Sequence, residues 1–78
     1  MIYTKNSLGY MRVRMDLVLA NIRRSREALH LSQKEVADRL NMSQNAYSKL
    51  ELGYTKLTLQ HFLLIADALN VPYKNILE

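Results

Sequence analysis

The amino-acid sequence predicts an all-α domain of five helices, preceded by a short arm at the N-terminus. Apolar residues recur at three- and four-residue steps along several segments, as they do on the buried side of a helix. Residues that commonly cap helices stand just before four segments, at Asp16, Ser32, Ser43 and Thr58. Residues 16–78 show no convincing alternation of apolar and polar residues, so we expect no strand there.

The chain of 78 residues predicts a single domain over residues 16–78, with residues 1–15 as the arm. The second half of the arm alternates like a strand. Met11 and Met15 also fit a helix continued backwards, and a disordered arm is a third option. We favour a strand-like or disordered arm because Asp16 resembles a helix start.

The first helix is predicted over about residues 17–29. Leu19, Ile22 and Leu29 follow helical spacing and indicate its buried side. His30 comes next, and histidine tolerates the left-handed backbone in which helices often end. We therefore expect the chain to leave the helix at His30.

The second helix begins at Ser32, whose hydroxyl can cap the amide of Glu35 while the Glu35 side chain returns the bond. Val36 and Leu40 belong to its buried stripe. Asn41 then predicts a tight turn, because asparagine also accepts a left-handed backbone. The segment is thus predicted to form a short helix followed directly by a turn.

Ser43 caps the third helix, predicted over about residues 44–52, and Gly53 is a good terminator. At 100° per residue, Tyr47 and Leu50 fall on the same side of this helix and are expected in the core. The opposite side is therefore expected to face solvent.

Thr58 caps a fourth helix that ends at Asn70, and a last short helix opens around Pro72, which is favoured in a first turn. We expect Ile76 and Leu77 to turn inward from it. These assignments complete the five-helix prediction.

Charge is unevenly distributed along the chain. The net charge is +4, but residues 1–26 carry six basic residues and one acidic residue, whereas residues 27–78 carry five and six. A basic N-terminal third favours an anionic partner, nucleic acid before membrane. The alternative is a solvated basic surface without a partner.

The composition argues against several classes of protein. There are no cysteines, and the two histidines, His30 and His61, show no ligand spacing, so we expect no disulfide, metal or cofactor. No apolar run approaches the ~20 residues of a membrane span. No carboxylate pair or glycine-rich phosphate loop stands out. We therefore expect a cytoplasmic protein that is not an enzyme.

The outward side of the third helix carries a row of hydrogen-bonding side chains. Its members are Gln44, Asn45, Ser48 and Lys49, and the apolar Leu52 follows at the end of the same side. Glutamine and asparagine can bond bidentately to adenine, and lysine favours the acceptors of guanine. This pattern predicts a helix that reads base edges in DNA; the alternative is a solvated helix whose polar residues bind nothing specific.

Two helix starts and one lysine are candidates for phosphate contacts. Gln33 and Ser43 stand at the starts of the second and third helices, where unsatisfied amides favour anions. Gln33 could also steady Gln44. Lys56, just beyond the third helix, can reach the DNA backbone on the other side.

Three stretches are similar to the phage repressor and Cro-type helix-turn-helix family, also called the Xre family. They are Leu31-Ser-Gln-Lys-Glu-Val-Ala37, Ser43-Gln-Asn-Ala-Tyr-Ser-Lys-Leu-Glu-Leu-Gly53 and Ile65-Ala-Asp-Ala-Leu-Asn-Val71, and the resemblance covers about residues 17–77. It implies a five-helix, lambda-repressor-like fold that binds DNA. It implies base or nearby phosphate contacts from the outward row of the third helix, a phosphate contact from Gln33, and a partly buried ion pair between Arg26 and Glu51.

The chain departs from the family pattern at three leucines. Leu52 stands where a polar residue is usual at the DNA-facing end, and Leu57 and Leu64 occupy positions that are often polar. Leu57 and Leu64 are candidates for a partner surface. The first fourteen residues have no counterpart in the family's core pattern.

The combined prediction is a sequence-specific regulator of transcription that binds double-stranded DNA, a repressor that occupies its operator as a homodimer. The alternative is the antitoxin of a toxin–antitoxin pair, which would bind a protein toxin as well as its own promoter. A third option is a helix-turn-helix scaffold that has lost DNA binding, and the intact outward row of the third helix argues against it.

Overall fold

The computed structural model describes the backbone of residues 5–78 and the side chains from Leu8 onward. Its five helices are α1 (Lys5–Ala28), α2 (Gln33–Arg39), α3 (Gln44–Leu52), α4 (Leu59–Leu69) and α5 (Tyr73–Leu77). These residues contain no strand, so the prediction of an all-α domain is confirmed. Residues 1–4, the start of the expected arm, lie outside the described residues.

Helix α1 is 24 residues long and begins at Lys5, well before its expected start near residue 17. Residues 5–15 are therefore helical, and the expectation of a strand-like or disordered arm was wrong for them. Asp16 does not cap the helix but lies exposed in its middle. Met11 and Met15 continue the side of the helix that packs on the core, so the backward extension keeps one helical pattern throughout.

Two long-range hydrogen bonds connect α1 to α5. The Arg14 Nη2 donates to the Leu77 carbonyl oxygen at 2.9 Å, and the Asn21 Nδ2 donates to the Ile76 carbonyl oxygen at 2.9 Å. Both carbonyls belong to the last turn of α5, where helical partners are lacking. Although α1 is long, neither it nor any other helix over residues 5–78 is apolar enough over sufficient length to cross a membrane.

The predicted helix boundaries after α1 are confirmed by their caps. The hydroxyls of Ser32, Ser43 and Thr58 accept hydrogen bonds from backbone amides at 3.0, 3.1 and 3.1 Å. Among residues 5–78, four adopt the left-handed backbone: His30, Asn41, Gly53 and Asn70. At Gly53 a Cβ would also lie 3.2 Å from the Leu19 Cδ1, so both backbone angle and space favour glycine.

One hydrophobic core lies between the helices. Its buried residues are Val18, Ile22, Val36, Ala37, Tyr47, Leu50, Phe62, Ile65, Ala66, Leu69 and Ile76. Leu29 and Leu77 are exposed, against expectation. Leu29 follows the last residue of α1, and Leu77 ends α5, where Ile76 already occupies the core. The core fixes α2 and α3 against α1 and α4, which leaves one side of α3 free.

Candidate nucleic-acid interface

The turn between α2 and α3 is held by backbone hydrogen bonds. The amide of Leu40 donates to the carbonyl oxygens of Val36 and Ala37, and that of Met42 donates to Ala37 at 2.9 Å. Asn41 takes the left-handed conformation between them. The chain therefore changes direction within a few residues, and these hydrogen bonds fix the start of α3 relative to α2.

Helix α3 has one buried side and one exposed side. Tyr47 and Leu50 have almost no exposed surface. The predicted outward row lies on the other side, with Gln44, Asn45, Lys49 and Leu52 exposed and Ser48 half-buried. The structure thus brings the predicted base-reading residues together on a single helix face. That face offers amide, hydroxyl and ammonium groups, all able to bond to base edges.

The candidate phosphate contacts lie at the start of α2 and on either side of α3 along the chain. Gln33 is the first residue of α2 and is half-buried, whereas Ser43 and Lys56 are exposed. The Ser43 hydroxyl already accepts the Ala46 amide, so it orders the first turn of α3. The amides of that turn carry the partial positive charge of a helix N-terminus, which favours an anion.

An ion pair joins the end of α1 to the end of α3. The Arg26 Nε and Nη2 donate to the two carboxylate oxygens of Glu51 at 3.0 and 2.9 Å. The Arg26 Nη1 also donates to the Leu31 carbonyl oxygen at 2.9 Å. The side chains are 12% and 2% exposed, respectively. This two-point contact sets the position of α3 relative to α1 and to the segment before α2.

Both members of the pair favour their charged forms. Burial alone raises the pKa of the Glu51 carboxyl, but the hydrogen bonds and positive charge of Arg26 outweigh it, so the pKa lies below its usual value. The hydrogen bond to Glu51 likewise raises the pKa of Arg26. Since neither group is near its titration range at neutral pH, the pair is ionised there.

The hydroxyl of Tyr47 is buried beside this ion pair. Burial first, and then the neighbouring Glu51, raises the pKa of Tyr47 well above its usual value. The hydroxyl has no hydrogen-bond partner of ordinary geometry among the described residues, although it lies near enough to Glu51 to help lower that pKa. Tyr47 is therefore a buried neighbour of the pair, and its ring serves the core.

Two contacts near the site were not predicted. The Gln33 Nε2 lies 3.4 Å from the Glu51 Oε1, whereas the sequence suggested that Gln33 would steady Gln44. The Arg39 Nη1 donates to the Ala68 carbonyl oxygen at 2.8 Å and joins α2 to α4. Neither contact could be predicted from the neighbouring residues in the sequence, because each depends on how two helices pack together. Together with the Arg26 contacts, they join the start of α2 to the end of α3, the end of α2 to α4, and the end of α3 to α1.

Comparison with known families agrees with this geometry. A model of the helix-turn-helix family matches residues 22–74, more than half of the chain, from the last third of α1 into α5. A search of curated proteins and a search of solved structures gave no match. The matched segment contains α2, the turn, α3 and the ion pair that holds them. The chain therefore belongs to the helix-turn-helix family of the phage repressor and Cro type, whose members are DNA-binding regulators.

Proposed function

We propose that this protein is a sequence-specific regulator of transcription that inserts α3 into the major groove of double-stranded DNA. The observation that carries the proposal is the single exposed face of α3, where Gln44, Asn45 and Lys49 point away from the core beside Ser48. Because the opposite side is buried at Tyr47 and Leu50, the helix cannot turn that face inward. A rigid row of hydrogen-bonding groups is what direct readout requires.

Each group on the face has a chemical preference. Gln44 and Asn45, in the first turn of α3, can each donate to and accept from the major-groove edge of adenine. Lys49 favours the acceptors of guanine, and Ser48 can bond to either kind of group. The N-terminal part of a recognition helix enters the groove first, so Gln44 and Asn45 are assigned the leading role.

Phosphate contacts would fix how the protein sits on the duplex. Gln33 at the start of α2, Ser43 just before α3 and Lys56 in the segment after α3 are assigned to the sugar–phosphate backbone. Gln33 reaches its phosphate by exchanging its long 3.4 Å contact with Glu51 for a charged acceptor. Arg26 and Glu51 have a structural role, because both are engaged with each other inside the fold.

The proposed regulator is a homodimer that represses by occupying its operator. One helix contacts few base pairs, so two copies on half-sites about 10–10.5 bp apart would supply the missing specificity. Of the two leucines suggested by the sequence, Leu57 is half-buried against the core, whereas Leu64 is exposed on α4. The surface around Leu64 is therefore the better candidate for contact between copies. Repression of transcription would place the protein in the cytoplasm with its DNA.

A second candidate function is that of an antitoxin that binds a protein toxin as well as its own promoter. The observation in its favour is the N-terminal half of α1, where apolar side chains from Leu8 to Leu17 are exposed. Such residues commonly mark a contact with another protein. This candidate adds a partner and leaves the role of α3 unchanged.

The experiment that tests the DNA-reading proposal is selection of bound duplexes from random DNA by the purified protein at near-physiological salt. We expect a short motif, repeated with two-fold symmetry if two copies bind. The Lys49→Ala variant should select an altered motif. The Lys74→Ala variant, which loses an equal charge on exposed α5, should select the wild-type motif. Binding that is blind to sequence and disappears with salt would contradict the proposal.

A further inference from the structure

A strip of exposed apolar side chains runs along the N-terminal half of α1. Leu8, Met11 and Met15 are 58%, 48% and 40% exposed. They continue the line of Val18 and Ile22, which are buried in the core. The steps along this line alternate between three and four residues, as at the contact positions of paired helices. The rest of the domain buries Val18 and Ile22 but leaves Leu8, Met11 and Met15 exposed to solvent.

The strip ends in a cleft between α1 and the segment that joins α3 to α4. The cleft has a volume of about 400 Å³. Met15, Leu19, Leu52 and Leu57 supply its apolar wall. Two of these, Leu52 and Leu57, are the leucines that replace the usual polar residues of the family. The apolar strip and the cleft therefore form one continuous surface, which we call the α1 groove.

The rim of the α1 groove is mainly basic. At 100° per residue, Arg12 and Arg14 fall on opposite sides of the line through Leu8, Met11 and Met15. The bond from Arg14 to the Leu77 carbonyl holds that guanidinium at one rim.

The other rim carries Lys56 beside the cleft, together with Arg12 and a single carboxylate, Asp16. Residues that flank the contact line of paired helices select partners by charge. Two copies of this chain would bring basic rim against basic rim, which disfavours self-pairing. A DNA phosphate would satisfy the arginines but would leave the leucine and methionines uncovered.

We propose that the α1 groove binds an amphipathic helix of another protein, one whose apolar stripe is flanked by acidic residues. The stripe would cover Leu8, Met11 and Met15, and its carboxylates would meet Arg12 and Arg14. This inference goes beyond the proposed reading of DNA and does not depend on it, since the apolar strip and both arginines lie on α1. The groove shares Leu52 with the exposed side of α3 and Lys56 with the proposed phosphate contacts, but none of the four residues proposed to contact bases.

The test uses the full chain and two synthetic helical peptides with the same leucine stripe. One peptide has glutamates beside the stripe, and the other has lysines. By titration calorimetry the glutamate peptide should bind roughly tenfold or more tightly than the lysine peptide, because several exposed ion pairs add up. Its affinity should fall as salt is raised, because exposed charges are screened.

Matched variants locate the binding surface. Leu8→Gln combined with Met11→Gln should abolish peptide binding, and both side chains are exposed enough for the fold to persist. Val13→Gln, at a similarly exposed position on the opposite side of α1, should leave binding unchanged. Arg12→Glu should weaken binding of the glutamate peptide and strengthen binding of the lysine peptide. Arg24→Glu changes an exposed arginine on the opposite side of α1 and should change the binding of neither peptide.

Four outcomes would overturn the proposal. The first is equal binding of the two peptides, and the second is equal loss of binding in the Val13→Gln variant. The third is a dimer by analytical ultracentrifugation that the Leu8 and Met11 substitutions convert to a monomer, which would assign the groove to a second copy. The fourth is attachment to anionic lipid vesicles without binding of either peptide.

Discussion

Glu51 shows how one residue can hold the exposed face of α3 in place from inside the fold. It is the one charged residue that is buried in the part of the chain the structure describes. Its two bonds to Arg26 make that burial possible, because an isolated carboxylate would lose more from dehydration than it gains from packing. Through this pair the end of α3 is fixed to α1.

Glu51→Ala is expected to reduce the free energy of unfolding by about 3 kcal/mol, since it leaves Arg26 without its partner. Urea denaturation at neutral pH measures this. Glu27→Ala is the control, because it removes an exposed carboxylate 3.9 Å from Arg23 and should cost at most about 1 kcal/mol. Similar values for the two variants would contradict the structural role of the buried pair.

The same carboxylate predicts a pH dependence of stability. The folded pKa of Glu51 lies below its usual value of 4.5, so its stabilising contribution is complete above that value and is lost as pH falls through the folded pKa. The difference in unfolding free energy between wild type and Glu51→Gln should therefore be largest at neutral pH and shrink below pH 4.5. A difference that stays constant down to about pH 3 would mean that the pair is not stabilised by charge.

At the scale of the helices, capping residues made α2, α3 and α4 predictable, whereas a residue that only resembles a cap misled the prediction of α1. The starts of these helices are marked by local hydrogen bonds, in which a hydroxyl accepts from the amide three residues later, at Ser32, Ser43 and Thr58. Asp16 carries the same signal but lies in mid-helix. The apolar residues before Asp16 fit both the two-residue period of a strand and the period of a helix, because apolar side chains occupy both sides of this part of α1. The bond from Arg14 to Leu77 spans 63 positions and has no local signal.

Two caps provide a matched pair of substitutions. Ser43→Ala and Thr58→Ala should each lower the free energy of unfolding by about 1 kcal/mol, because each removes one acceptor for a helix-start amide. Thermal unfolding checks this. Only Ser43→Ala should also weaken DNA binding among folded molecules, since Thr58 lies at the start of α4. Equal weakening of DNA binding by both would remove Ser43 from the proposed phosphate contacts.

For the whole molecule, the family, the fold and the exposed face of α3 followed from the sequence, and the Arg26–Glu51 pair followed from the resemblance, whereas the other contacts that position α2 and α3 did not. The row from Gln44 to Lys49 was predictable because a helix of known phase and two core residues fix its outward side. The contact of Gln33 with Glu51 depends on how α2 packs on α3, and the exposure of Met11 depends on where α1 leaves the domain. Neither this contact nor this exposure can be predicted from the residues nearby in the sequence.

The net charge of +4 makes the salt dependence of DNA binding a test of the phosphate contacts. Affinity for a selected duplex should fall with rising salt, and Lys56→Ala should weaken binding to all sequences while reducing the logarithmic salt slope by about 1. Fluorescence anisotropy over a range of salt concentrations measures both. Lys74→Ala, on α5, should leave the slope unchanged; a slope that is equally unchanged in Lys56→Ala would exclude a phosphate contact there.

The proposal that α3 reads base edges is tested by comparing the base preferences of wild type and Gln44→Ala at every position of the selected motif. Gln44 is exposed, so the variant should remain folded. We expect a loss of about 1–3 kcal/mol on the preferred site and relaxed preference at the base pair that Gln44 contacts, with the other positions unchanged. An equal loss on every sequence, with the preference intact, would contradict the claim.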